Sequence, residues 1–355
     1  MRDPSGTSVL LPSATMLEQS DIGLEYVLWL TPSVRKYFEI TPVGGRGINI
    51  RPTGTPDRRT ELLPAAVWDV SSPHGSYKEL NVMMGRLHFS PGARDPKVYQ
   101  PFSHDELRQL RSLYLTAETS GGRIDEKLDM AAVVHHFAVA VLPEPLAAIA
   151  PSAGSVFSDV APVFERSTGQ TDFPELVWLY LLARCRADPG HSVMEIGSYQ
   201  GRSTAVLAAA LRGESGTAHL ISVDPHAETS QHRDMVRLNV ETTGEGSRLI
   251  QIQDSVENLT GLLGPDAVSL VFIDGDHSYE AVHRDITCAD RWLEAGGWMV
   301  LHDYWPQEHV PYEVEPRLLE TVQAIRDSRV LAAGYRPAGA VKATIAYQKL
   351  ARNYR

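Results

Sequence analysis

Residues 166–355 are predicted to fold as an α/β unit, a mostly parallel sheet with helices on both faces, preceded by an auxiliary α+β domain over residues 1–165. Three observations predict this. From Pro162 onward, short apolar runs alternate with segments of helical periodicity, the pattern of a parallel sheet joined by crossover helices. The runs are apolar almost throughout, as strands buried on both faces are. Before Pro162 the texture is irregular, and 42-PVGGRGINIRPTGTPDRR-59 reads as loop and turn.

Taken in order, the N-terminal half offers short apolar runs at 24-LEYVLWL-30 and 81-NVMMGRLHF-89, which suit strands or short helices equally. Helices are predicted at 103–115, opened by a Ser cap with acidic residues in its first turn, and at 125–142. In the C-terminal half a helix at 173–187 precedes strands at 191–197, 218–224, 247–254, 268–274 and 298–303. Helices at 201–212, 231–243, 255–263, 279–293 and 316–328 follow these strands in turn, and 340–350 reads as a closing strand.

Composition narrows the function. A net charge of −11 argues against nucleic acid or an anionic membrane as the main partner. No apolar run reaches the ~20 residues of a membrane-spanning helix, and the first residues lack the apolar core of a signal peptide. The two cysteines, Cys185 and Cys288, are far apart without a metal-type partner, which suggests buried thiols in a reducing compartment. A cytoplasmic location is expected.

Ligands of such sheets sit at the carboxyl ends of the strands, so each strand end is a candidate site. The first strand runs into 194-MEIGSYQGRST-204, where Gly197 and Gly201 bracket a tight turn into a helix. Glycine allows close backbone approach and the helix start offers free N–H groups, although a purely structural turn has the same pattern. Asp224 ends the second strand and suits the hydroxyls of a ribose, or caps the next helix. Asp254 and Ser255 end the third, as an adenine contact or a helix cap. Asp274 and Asp303 end the fourth and fifth strands, which are expected to be neighbours, so that both carboxylates converge as ligands for a hard cation such as Mg²⁺.

With E-I-G-x-x-x-G-R-S-T, V-D-P, D-S, F-I-D-G-D-H-S-Y and A-G-G-W-x-V-L-H-D-Y in that order, the chain resembles class I S-adenosylmethionine-dependent methyltransferases over about residues 165–350. Within them it is most similar to the metal-dependent macrolide deoxysugar O-methyltransferases of the mycinamicin sugar type. The resemblance implies a Rossmann-like, seven-stranded methyltransferase sheet. It places Glu195, Gly197, Ser198, Gly201 and Ser203 around the methionine part of S-adenosylmethionine, Asp224 at the ribose, and Asp254 and Ser255 by the adenine. It makes Asp274, His302 and Asp303 the ligands of a divalent metal, and His277, three residues after Asp274, the general base.

His302 departs from the family, which carries an oxygen ligand there. An imidazole removes one negative charge and favours Mn²⁺ or Fe²⁺ over Mg²⁺, or leaves His302 as a base in a site without metal. The expected activity is O-methylation of a hydroxyl, a sugar hydroxyl of a glycosylated natural product in antibiotic biosynthesis, by a homo-oligomer. N- or C-methylation and an inactive cofactor-binding scaffold are the rivals. Asp276 is expected to orient His277 or support its turn, and Tyr304 and Trp305 to line an acceptor pocket or to pack.

Overall fold

The computed structural model describes residues 141–351 apart from 187–189, 214–217, 227–229, 260 and 305–315. Before residue 141 it describes residues 74, 135, 138 and 139 and eight strands. These strands are β1 (Thr15–Gln19), β2 (Leu24–Leu30), β3 (Phe38–Val43), β4 (Gly47–Pro52), β5 (Thr60–Ser72), β6 (Gly75–Val82), β7 (Gly85–His88) and β8 (Val98–Pro101). The run at 24–30 is thus a strand, and 81–89 divides between β6 and β7. The stretch read as loop at 42–59 contains most of an antiparallel pair, β3 with β4. The helix predicted at 103–115, most of that at 125–142, and the positions of His136, Trp305 and His309 lie outside the described residues.

The C-terminal half has strands β9 (Ser192–Ile196), β10 (Leu220–Val223), β11 (Leu249–Ile252), β12 (Val268–Ile273), β13 (Leu293–Leu301), β14 (Tyr335–Val341) and β15 (Thr344–Lys349). Its helices are α1 (Ala153–Arg166), α2 (Phe173–Arg184), α3 (Arg202–Ala210), α4 (Ser230–Glu241), α5 (Tyr279–Trp292), α6 (Pro316–Asp327) and α7 (Arg329–Gly334). The strand order is β11-β10-β9-β12-β13-β15-β14, with β15 antiparallel to both neighbours. This is the seven-stranded, mostly parallel, Rossmann-like methyltransferase sheet. Two elements differ from expectation. The closing strand is a hairpin, β14 and β15, turning at Lys342 and Ala343. The helix expected at 255–263 is one 3-10 turn, Val256–Leu259, and Gly261 follows with a left-handed backbone (φ 96) that a helix cannot use.

Alternate residues of the central strands feed two cores. Val193, Leu270, Phe272, Trp298 and Val300 face α1, α2 and α3. Met194, Ile196, Val271, Ile273, Met299 and Leu301 face α5 and α6. Each large side chain so buried contributes roughly 1.5–3 kcal/mol relative to exposure, and the double covering explains why the strands carry no polar alternation. Helix α2 is buried on every side, from Phe173 to Ala183, and Glu175 is its one buried carboxylate. α1 packs into the same core through Val156, Phe157 and Val160. The sheet continues beyond β14, where β6 joins in parallel with Ala340 opposite Glu79 and Val341 opposite Leu80.

Cys185 and Cys288 are buried free thiols, and burial pushes Cys185 up to about 11. Among the described residues no helix is long and apolar enough to cross a membrane.

Candidate active site

Strand register lines up the predicted residues. Val223, Ile196, Ile273 and Leu301 stand side by side across β10, β9, β12 and β13. The next residues, Asp224, Gly197, Asp274 and His302, therefore form one row at the carboxyl ends. The ladder bonds extend to this row: Gly197 N donates to Val223 O (2.9 Å), Asp274 N to Ile196 O (2.8 Å) and His302 N to Ile273 O (3.0 Å). The chain leaves β9 toward β10 and returns to its other side with β12, so the row spans the topological switch point, where ligands of such sheets bind.

A cavity of about 630 Å³ opens here, lined by Gly197, Ser198, Gly201, Ser203, Asp224, Asp254, Ser255, Asp274 and His277, among others. Of the predicted cofactor residues, only Glu195 stays out of the wall. It is fully buried and its Oε2 accepts from the Thr204 hydroxyl, while Oε1 has no hydrogen-bond partner among the described residues. Burial pushes its carboxyl up to about 8, against the opposing pull of Ser203 and Thr204. Gly197 and Gly201 both have φ +86, and the space a Cβ would need is filled by the Asp274–Gly275 backbone at Gly197 and by Val236 at Gly201.

Asp224 holds the turn together. Its Oδ2 accepts from Ser198 N (2.9 Å) and Tyr199 N (3.0 Å), and its Oδ1 from His226 N (2.6 Å). Asp254 accepts from Ser255 N and from the Asn258 amide, both at 2.7 Å, as a cap of the 3-10 turn does; these bonds hold its carboxyl below the usual range.

At the other end of the row, His302 Nδ1 lies 3.3 Å from Asp274 Oδ1 and 3.4 Å from Asp303 Oδ1. By alternation Asp303 belongs to the opposite face of β13. Its left-handed backbone (φ 55) breaks the alternation, and its carboxylate joins Asp274 and His302. Such a conformation costs about 1–2 kcal/mol for a residue with a Cβ, and Tyr199 (φ 45) and His226 (φ 47) in the cavity wall adopt it too. Burial opposes charge on His302, but the carboxylates of Asp274, Asp303 and Glu175 prevail and hold it well above the usual imidazole range. His277 Nδ1 is 3.3 Å from Asp303 Oδ2. Asp276 Oδ1 accepts from Ser278 N (3.0 Å), so Asp276 supports the turn.

Residues 194–304 match the model of a family described as a methyltransferase domain. An uncharacterized protein of Acanthamoeba polyphaga mimivirus is 25% identical over 137 residues, which cover 37% of this chain and 58% of that relative, little more than half its length. Among solved structures, the O-methyltransferase TomG from Streptomyces achromogenes, involved in tomaymycin synthesis and in complex with SAM, is 17% identical (69% of this chain, 99% of that one, TM-score 0.40). An O-methyltransferase from Bacillus cereus in complex with SAH is also 17% identical (68% and 100%, TM-score 0.40).

The site has a donor set that fits a divalent cation. One atom each from Asp274, His302 and Asp303 lie within 4.8 Å of one another. Ligand atoms at right angles around a cation with bonds of about 2.1 Å stand about 3.0 Å apart, close to the contacts His302 Nδ1 makes. Two carboxylates with an imidazole suit Mn²⁺ or Fe²⁺ better than Mg²⁺.

Several residues of the site were missed in the sequence. Thr168–Thr171 form a further wall of the cavity, tied down by Arg202, whose guanidinium donates to Gly169 O (2.6 Å), Ser167 O (2.6 Å) and Thr171 O (3.3 Å). Asp285 lines the cavity from α5, and burial pushes its carboxyl up to about 7. His226 lines the cavity with its Nδ1 3.5 Å from Asp224 Oδ1. Glu175 stands behind His302; its signal was D-F-P-E, a helix start whose Glu can close back on the cap. Tyr304 is buried, and the Tyr77 hydroxyl from β6 donates to its hydroxyl (3.2 Å).

Proposed function

We propose that the protein is an S-adenosylmethionine-dependent O-methyltransferase acting on a hydroxyl of a small-molecule acceptor, a sugar hydroxyl of a glycosylated natural product. The observation that carries this reading is the row Asp224, Gly197, Asp274 and His302, set at the switch point beside a cavity within the usual 300–1,000 Å³ of small-ligand sites.

In this reading the Gly197–Gly201 turn and the start of α3 receive the methionine part of the cofactor, and Asp224 the ribose. The donor supplies a methyl already activated as a sulfonium, so the protein must align the acceptor oxygen behind it and take one proton. As the C–S bond breaks and the C–O bond forms, the acceptor proton passes to Nε2 of His277. Asp303, against Nδ1, orients that imidazole, and partial exposure of His277 lets the proton leave to solvent. A divalent cation held by Asp274, His302 and Asp303 would polarise the acceptor hydroxyl. Tyr77, bonded to the residue next to Asp303, supports a role for the N-terminal strands on the acceptor side.

The test is calorimetric titration of S-adenosylmethionine into chelator-treated protein, repeated with Mg²⁺, Mn²⁺ and, anaerobically, Fe²⁺, followed by an acceptor screen among glycosylated natural products. Binding is expected, with a response to at least one metal. Absence of cofactor binding under every condition would overturn the reading.

A further inference from the structure

We propose that Glu175 is a positioning residue of the cation site: from behind His302 it keeps the imidazole proton on Nε2, and so turns the Nδ1 lone pair toward the point shared by Asp274 and Asp303. The proposal rests on the cation reading above and concerns residues outside the family pattern, since an oxygen ligand in place of His302 would need no such support.

Three observations carry it. The two ring nitrogens face different groups: Nδ1 faces Asp274 and Asp303 at 3.3 and 3.4 Å, and Nε2 faces Glu175 Oε1 at 3.5 Å. Both nitrogens are buried and, among the described residues, neither has a hydrogen bond of ordinary geometry; a cation on Nδ1 would leave the ring's one proton on Nε2, facing Glu175. Second, Glu175 is itself immobile. Its Oε1 accepts from Ala343 N and from the Thr344 hydroxyl, both at 3.0 Å, and its Oε2 from Asp172 N at 3.0 Å. The carboxylate is thus anchored from the start of α2 and from the β14–β15 hairpin together. Third, the register explains the placement: His302 follows Val300 on the face that α2 covers. Closing the helix start employs Oε2, and the two donors of the hairpin hold Oε1 where it faces His302 Nε2. A carboxylate behind a ligating histidine fixes its tautomer and raises its basicity, and removing such partners costs roughly 10- to 100-fold in metal affinity.

The probe is Co²⁺ alone, whose visible absorption reports a nitrogen ligand, titrated into the full-length chelated protein. Glu175→Gln is expected to weaken Co²⁺ roughly 10- to 100-fold with little change in S-adenosylmethionine affinity. In a His302→Asp background, where no tautomer exists, the same substitution is expected to change Co²⁺ affinity less than twofold. Equal losses in both backgrounds would reduce Glu175 to a structural role and overturn the proposal. If Glu175→Gln does not fold, ¹⁵N NMR of His302 in the Zn²⁺-loaded wild type decides: a proton on Nε2 is expected, and a proton on Nδ1 would overturn the proposal. Wild-type protein that binds S-adenosylmethionine but no Co²⁺ would also sink it while leaving the methyltransferase reading intact. Failure to bind S-adenosylmethionine would instead count against that reading.

Discussion

Gly197→Ala is expected to damage stability and cofactor binding together. A Cβ at this position would lie 2.2 Å from the Asp274 carbonyl oxygen and 2.5 Å from Gly275 Cα, whereas ordinary contact begins at 3.4 Å, so 3.4 − 2.2 leaves the backbone to yield by about 1 Å. The neighbour is main chain at the end of β12, not the flexible tip of a side chain. The left-handed φ adds roughly 1–2 kcal/mol and overpacking roughly 1–3 kcal/mol, about 2–5 kcal/mol in all. At roughly 2–4 °C per kcal/mol for a domain of this size, the melting temperature should fall by roughly 4–20 °C. Because the displaced backbone carries Asp274, and a misplacement of about 1 Å can cost 100-fold in rate, turnover should fall further than stability explains. Gly213→Ala is the control: it shares the left-handed backbone (φ +75) but among the described residues a Cβ there meets nothing within 4 Å, which leaves the strain. Thermal denaturation and titration of S-adenosylmethionine read both effects. If Gly197→Ala melts no lower than Gly213→Ala and binds the cofactor as the wild type does, the close approach of β9 to β12 is not what holds the site.

Other substitutions probe the remaining groups. His277→Ala should keep cofactor binding and lose turnover by roughly 10²–10⁴-fold, the usual worth of a general base; unchanged turnover would remove His277 from the mechanism. Asp224→Asn leaves too few acceptors for the N–H groups of Ser198, Tyr199 and His226, at roughly 1–3 kcal/mol, so calorimetry should show S-adenosylmethionine binding weakened roughly 10- to 100-fold. Glu195 has a folded-state carboxyl raised to about 8, so the folded protein holds a proton that the unfolded chain has released. Stability therefore falls as pH climbs from the ordinary carboxylate range through about 8. Glu195→Gln should reduce that slope, so melting temperatures at pH 5 and pH 9 should differ less for the variant than for the wild type, the remainder including Asp285, whose carboxyl is raised to about 7.

The parallel strands were legible because each is a short apolar run buried on both faces, ending in a residue that cannot stay in the core: Gly197, Asp224, Asp274, Asp303. Register then follows, since the core rows must align, and with it most of the site. Strand β14 was hidden because Pro337 and Gly339 interrupt it where its pairing with β15 shifts. The 3-10 turn after Asp254 looked helical because a single turn satisfies the same spacing as a short helix. Arg202 and Tyr77 were out of reach for another reason. Their partners are backbone carbonyls or side chains distant in sequence, and nothing local marks a guanidinium that closes on Gly169 or a tyrosine that meets Tyr304. The turned-back carboxylate of Asp303 depends on a backbone angle that Asp permits but does not announce.

The parallel joining of β6 to β14 has a consequence for how the protein can be divided. Cutting the chain at residue 165 would strip away β6 and with it the cover over the outer main-chain groups of Ala340 and Val341, and would take Val156, Phe157 and Val160 out of the core. What remained would present a bare strand edge, a template for pairing with any other extended chain, beside a freshly opened apolar groove. The catalytic half expressed alone should therefore self-associate, so the N-terminal half guards solubility whatever else it contributes.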